Sequence, residues 1–302
     1  MAAPTFVAIN QSGPVSGNGQ GITQPSGTQT GDALYAFFGQ NDTGEDSIPE
    51  SIPSEDEEWT EVNNLVDDTE NTTRLIVMRR IIEDGDPSTF QTSWTDIQSL
   101  HIFAAMAIRG ADATTPEAAT PTGTTGDSDS PDPPASGTVA SGDYLAIAYM
   151  SMQGKRGPNS GPTNYTERLD FYTTGGGGPS SHLGMGISTR ELTGITSENP
   201  GVFTASNGDT WTAGMILVQP PQDQTITVNE VAETEAAVAV AVGDTPISVA
   251  VGAAPEVEAA VAVAVIQPAA QSIVVAASAE VEQAVAIDAL TTSGKPKLIG
   301  VF

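Results

Sequence analysis

Gly31-Asp32-Ala33-Leu34-Tyr35-Ala36-Phe37-Phe38 is the stretch on which the fold turns, because a Gly-Asp turn runs straight into an unbroken apolar run. An apolar run of that length, bounded by a turn, reads as a strand covered on both faces or central in a sheet. The phrase returns as Gly142-Asp143-Tyr144-Leu145-Ala146-Ile147-Ala148-Tyr149. The echo continues downstream of each copy. Trp59-Thr60-Glu61-Val62 answers Tyr165-Thr166-Glu167-Arg168, and RLIVMRRII (74–82) answers HLGMGISTRE (182–191). Phe90-Gln91-Thr92-Ser93 answers Phe203-Thr204-Ala205-Ser206, and HIFAAMAIR (101–109) answers WTAGMILVQ (211–219).

Order and spacing therefore suggest two diverged halves, about 19–110 and 128–220, with four or five strands each; chance likeness between β-segments is the alternative. Two such halves fill a two-sheet sandwich with one shared core. The fold expected for residues 1–220 is an all-β, antiparallel, jelly-roll-like sandwich, internally duplicated if the echo is real. Two polar stretches read as surface loops. One is Gly39–Glu58, dense in acids. The other is Ala111–Ser136, rich in Pro, Thr and Asp, which serves as the linker between halves.

Composition agrees with strands and turns. Charged residues are 16% and aromatics 5%, with Gly, Pro, Ala and Val abundant and the usual fillers of surface helices scarce. The 38 acids against 10 bases leave a net charge of −28, which argues against free nucleic acid and anionic membranes as partners. With no cysteine, disulfides and thiolate chemistry are excluded. The amino terminus MAAPTFVAIN has neither the basic nor the long apolar region of a signal peptide, and no apolar run spans a bilayer.

After Pro220-Pro221 the composition turns to Ala and Val and a repeat begins: ITVNEVAETEAAVAVAV (226–242), VAVGAAPEVEAAVAVAV (249–265) and IVVAASAEVEQAVAIDA (273–289). The Glu-X-Glu pairs Glu233/Glu235, Glu256/Glu258 and Glu280/Glu282 set a period of 23 and then 24 residues. Val alternating with Ala is a period of two, so this is a strand with Val on one face. One repeat cannot bury a core, so repeats stack on each other, on other subunits or on a larger partner. The candidate assembly interface is Val238, Val240, Val242, Val261, Val263, Val265, Val285 and Ile287. A flexible Ala-rich stalk is the alternative reading.

No catalytic, cofactor-binding or metal-binding residue is expected. His101 and His182 are lone histidines in strands, more often structural than catalytic. The glycines at 175–178 lack the Lys-Ser/Thr and helix of a phosphate loop. Asp127, Asp129 and Asp132 alternate like calcium-loop ligands but lack the Gly and distal Glu. The acids lie in polar runs with no apolar frame to raise one pKa, which weighs against a glycosidase pair. Trp59, Tyr165, Tyr172 and Trp211 read as core aromatics before sugar platforms.

The Gly-Asp strand, the Trp-Thr or Tyr-Thr step, the Arg-containing strand and the Ala-rich strand ending Ile108-Arg109-Gly110 resemble a β-sandwich domain of minor structural proteins in tailed bacteriophages. The residues that carry the likeness are Gly31, Asp32, Gly142, Asp143, Trp59 and Tyr165. The repeats, through the six glutamates above, look like Glu-Thr-Glu-containing repeats of phage tail and appendage proteins, but with Val-Ala runs where those carry Gln and Pro. The resemblance implies a non-enzymatic virion protein assembled in the host cytoplasm: a capsid decoration or head fibre, or a tail or neck appendage. Its partners would be other virion proteins, further copies of itself as a homo-oligomer, and a host surface glycan. The rival expectations are a carbohydrate-binding cell-surface adhesin and a polysaccharide-degrading appendage enzyme.

Overall fold

The computed structural model describes residues 2–15, 21–41, 59–67, 73–91, 100–154, 160–172 and 182–221, and beyond these the backbone of six short strands between 224 and 298. The chain divides into two units, Met1–Pro220 and Pro221–Phe302. Among the described residues all regular structure is strand.

The first unit begins with β1 (Thr5–Val15), β2 (Gly21–Thr23), β3 (Ala33–Asn41), β4 (Thr60–Val66), β5 (Thr73–Ile81), β6 (Thr89–Gln91) and β7 (Leu100–Arg109). It continues with β8 (Thr122–Ser128), β9 (Gly142–Gln153), β10 (Thr166–Tyr172), β11 (Leu183–Ile195) and β12 (Asp209–Val218). Two five-stranded antiparallel sheets result, in the orders β1-β7-β3-β5-β4 and β8-β12-β9-β11-β10. Position by position these are the same sheet, with β8 standing for β1, β12 for β7, β9 for β3, β11 for β5 and β10 for β4. The sandwich expected from sequence is formed, but each sheet comes from one contiguous stretch of chain, unlike the interleaved sheets of a jelly roll.

A local irregularity strengthens the correspondence. In the edge strand β4 the pairing with β5 skips a residue between Glu61 and Asn63, and in the edge strand β10 the pairing with β11 skips one between Glu167 and Leu169. The Thr-Glu echo at 60–61 and 166–167 thus carries the same bulge at the same place, and bulges are kept within families as built features. The halves run from β1 to β7 and from β8 to β12, so each starts earlier than the expected 19 and 128. Ala111–Ser136 is not wholly a linker: it contains β8, paired along its length with β12. β1 and β8 escape the pattern because an edge strand needs no continuous apolar run; β8 reads TGTTGDS and alternates half-buried with exposed.

The central strands β3 and β9 are buried on both faces, as their apolar runs require. Inward, Ala33, Tyr35 and Phe37 meet Leu145, Ile147 and Tyr149 in one core, with the Phe37 and Tyr149 rings 5.5 Å apart. Outward, Leu34, Ala36 and Phe38 lie under Ile22 and Phe90, which come from the β2–β6 ribbon. The outer residues Ala148 and Met150 of β9 lie under Phe203. Phe90 and Phe203 are both fully buried, and burying such a side chain contributes roughly 1.5–3 kcal/mol. Trp59 meets Phe90 edge-on at 5.4 Å, and Tyr165 packs against the Phe203 cluster. Each aromatic echo is therefore a lid on the outer face of its own sheet.

The two Gly-Asp phrases are not equivalent in detail. Aligned on Gly-Asp, Leu34 matches Leu145, yet Leu34 points outward and Leu145 inward. Gly31 lies in the turn before β3 at φ +88°, a conformation that favours glycine, whereas Gly142 and Asp143 already belong to β9. A one-residue offset exchanges the faces of every side chain. The aspartates do different work accordingly. Asp32 accepts the Gln29 N–H at 2.8 Å and takes the Arg109 guanidinium on both oxygens at 3.0 and 2.9 Å. Asp143 accepts the Gly194 N–H at 3.0 Å.

The connection between the halves also supplies a half-buried charge. Residues 112–118 are strapped to the end of β12 by main-chain bonds, from Asp112 to Gln219, Gln219 to Pro116 and Ala118 to Leu217. This brings the Glu117 carboxylate to 2.8 Å from the Tyr35 hydroxyl, which donates to it. Arg79 Nε lies 3.1 Å from the same oxygen, an ion pair without the alignment of a hydrogen bond. Removing one member of such a group strands the others. Glu117→Ala should cost about 2 kcal/mol in urea unfolding, the worth of a hydrogen bond to a charged group. An unchanged midpoint would show that the strap carries no stability.

Candidate assembly surface

The second unit contributes β13 (Gln224–Val228), β14 (Val238–Val242), β15 (Ile247–Val251), β16 (Val261–Ile266), β17 (Val285–Leu290) and β18 (Lys297–Leu298). Successive repeats pair in parallel. β13 lies beside β15 with Ile226 opposite Val249, a step of 23 residues. β14 lies beside β16, and β16 beside β17, with steps of 23 and 24. The register of the sheet is thus the period of the sequence. Parallel strands need a long connection between them, and the remainder of each repeat is that connection.

All eight residues singled out as an interface fall in this ladder. Val238, Val261 and Val285 form one row; Val240, Val263 and Ile287 form the next; Val242 and Val265 begin a third, which Ala289 completes. β18 closes one edge of the sheet by pairing antiparallel with β17 at Asp288 and Ala289. The six glutamates of the Glu-X-Glu pairs lie outside the described residues, as do residues 42–58 of the acidic stretch and the glycines at 175–178.

The residues weighed for chemistry are scattered through the first unit. His101 is buried in β7 and His182 is buried just ahead of β11. Among the described residues no three His, Asp or Glu side chains stand where they could share a metal ion, so Asp127, Asp129 and Asp132 do not converge. Trp211 is buried and its Nε1 donates to Ser128 Oγ at 3.0 Å. Tyr165 donates to Glu198 at 3.1 Å, and Glu198 also pairs with Arg190 at 3.2 Å. Burial works against the charge of Asp86, but the Arg80 guanidinium and the Glu83 N–H outweigh it and hold the carboxyl below its usual range. That is the opposite of what a general acid requires. A cavity of about 130 Å³ lined by Asn10, Ile22, Thr23, Phe38 and Phe103 is well below the ~300–1,000 Å³ of typical ligand sites.

Sequence reasoning missed Glu117, whose only signal was an acid in a Pro- and Thr-rich stretch. Among the described residues there is no helix long and apolar enough to cross a membrane. Fold and ladder together define an all-β protein, a two-sheet sandwich followed by a parallel repeat. Comparison with family models, curated proteins and solved structures gives no match.

Proposed function

We propose that this chain is a non-enzymatic structural protein of a bacteriophage particle, in which the sandwich is displayed and the repeat unit attaches it. The observation that carries the reading is the ladder. Strands of alternating Val and Ala, uncharged in β14 and β16, stack in register within a chain whose net charge is −28. Charge keeps most of such a surface apart from its neighbours, and an uncharged β-ladder is where main-chain pairing and apolar burial can act. The likeness of the Gly-Asp strands and the Glu-X-Glu repeats to phage appendage proteins supplies the particle.

The test is sedimentation with particles that lack the protein, using the full chain, residues 1–220 and residues 221–302. The full chain and 221–302 should co-sediment, and 1–220 should stay in the supernatant. Binding by 1–220 alone would reverse the polarity. Binding by none of the three would leave a free adhesin as the better reading.

A further inference from the structure

We propose that β14 is a two-fold dimerisation edge, through which two copies of this chain join by antiparallel pairing of β14 with itself, Val240 lying opposite Val240 of the partner subunit. The proposal deepens the reading of the repeats as an assembly segment and rests on it.

The sheet order is β14-β16-β17-β18, so β14 is an edge whose outer main-chain groups have no strand partner among the described residues. Such an edge is a template for another strand, and proteins normally blunt it with charge, proline or a bulge. Of the six edge strands in the three larger sheets, five are blunted. β1 has Pro14 and two register breaks, β4 has Glu61 and a bulge, and β10 has Glu167, Arg168, Asp170 and a bulge. β8 has Asp127 and β18 has Lys297. β14, Val-Ala-Val-Ala-Val, has none of these.

Its sequence also identifies the strand that fits. Val238–Val242 reads the same in both directions about Val240. Antiparallel pairing about a two-fold axis at Val240 sets Val238 opposite Val242 and Ala239 opposite Ala241, so the Val and Ala rows continue across the junction. Copies of net charge −28 repel, so they meet most readily where the chain carries no charge. Head-to-tail growth would need β14 to pair with the opposite edge β18, a two-residue strand that carries Lys297, so pairing of β14 with itself is favoured and closes at two copies.

The absence of native cysteine gives a direct test. Val240→Cys, Val263→Cys and Ile287→Cys are each made in the full chain and oxidised mildly. Opposed residues in an antiparallel pair have Cα atoms roughly 4.5–5.5 Å apart, within disulfide reach. At ~4.8 Å per strand, the two copies of position 263 would be about 14 Å apart and those of 287 about 24 Å. Val240→Cys should cross-link at least tenfold more than either other variant. Val240→Lys and Val240→Glu should each weaken self-association in sedimentation at least tenfold, and mixing the two should restore it. Equal cross-linking at all three positions, no cross-link at 240, or a mixture that stays monomeric would overturn the proposal. Particle binding by a monomeric full chain would overturn the edge alone and leave the attachment role intact. A dimer that cross-links at 240 but binds no particle would sink the attachment role alone.

Discussion

Raising the pH from 10 to 12 should destabilise the sandwich by a few kcal/mol. Tyr35 and Tyr149 are fully buried between the sheets. Burial pushes both phenols well above their ordinary value of 10, helped at Tyr35 by the Glu117 carboxylate and opposed at Tyr149 by the hydrogen bond from Asn63. Burial pushes Tyr144 and Tyr165 the same way. The folded pKa therefore lies above the unfolded one. Below pH 10 the protein keeps the full stability. Above it the unfolded chain releases protons that the folded chain retains, and each group costs about 1.4 kcal/mol per pH unit until its folded pKa is reached. Two fully buried phenols together cost several kcal/mol as the pH rises past 10, a large part of the ~5–15 kcal/mol of an ordinary domain. Tyrosinate absorbance and circular dichroism followed on one titration decide it. Both should change together, and Tyr149→Phe should move the midpoint upward. Phenols titrating near 10 in a protein that keeps its circular dichroism would refute the argument.

Gly214→Val should cost about 3 kcal/mol or more. Gly214 of β12 lies directly across from Tyr149 of β9, and the phenol ring lies over it. A Cβ there would come within 2.6 Å of the Tyr149 oxygen and 2.7 Å of its ring carbons. The ring has nowhere to go, being enclosed by the core and bonded to Asn63. The same device recurs where the Trp211 ring covers its cross-strand neighbour Gly126. If the clash is the cause, the cost of Gly214→Ala should largely disappear in a Tyr149→Ala background, a coupling that a double-mutant cycle measures. Additive costs would mean that some other contact of Gly214 matters.

Much of this fold was legible because its signals are local. The apolar runs at 33–38 and 144–149 read as strands covered on both faces or central in a sheet, and both are third of five. Trp59, Tyr165, Phe90 and Phe203 were visible as echoes, and each lids an outer face. The 23- and 24-residue period became the register of the ladder. β8 was illegible because a solvated edge strand of Thr, Gly and Asp has the composition of a loop. Glu117 was illegible because its partners Tyr35 and Arg79 lie far away in the chain and meet it only once the sheets have closed.

The amino-acid sequence by itself determined that this is an all-strand protein, where its central strands lie, and how far apart its repeats stand. Those follow from period-two alternation, β-branching and turn residues, which act over a few neighbours. Tertiary structure alone decided which face of each Gly-Asp strand turns inward, which strands stand at the edges, and that each half forms a whole sheet. Those depend on pairing between residues distant in the chain, where a slip of one position exchanges core for surface while the local pattern stays the same.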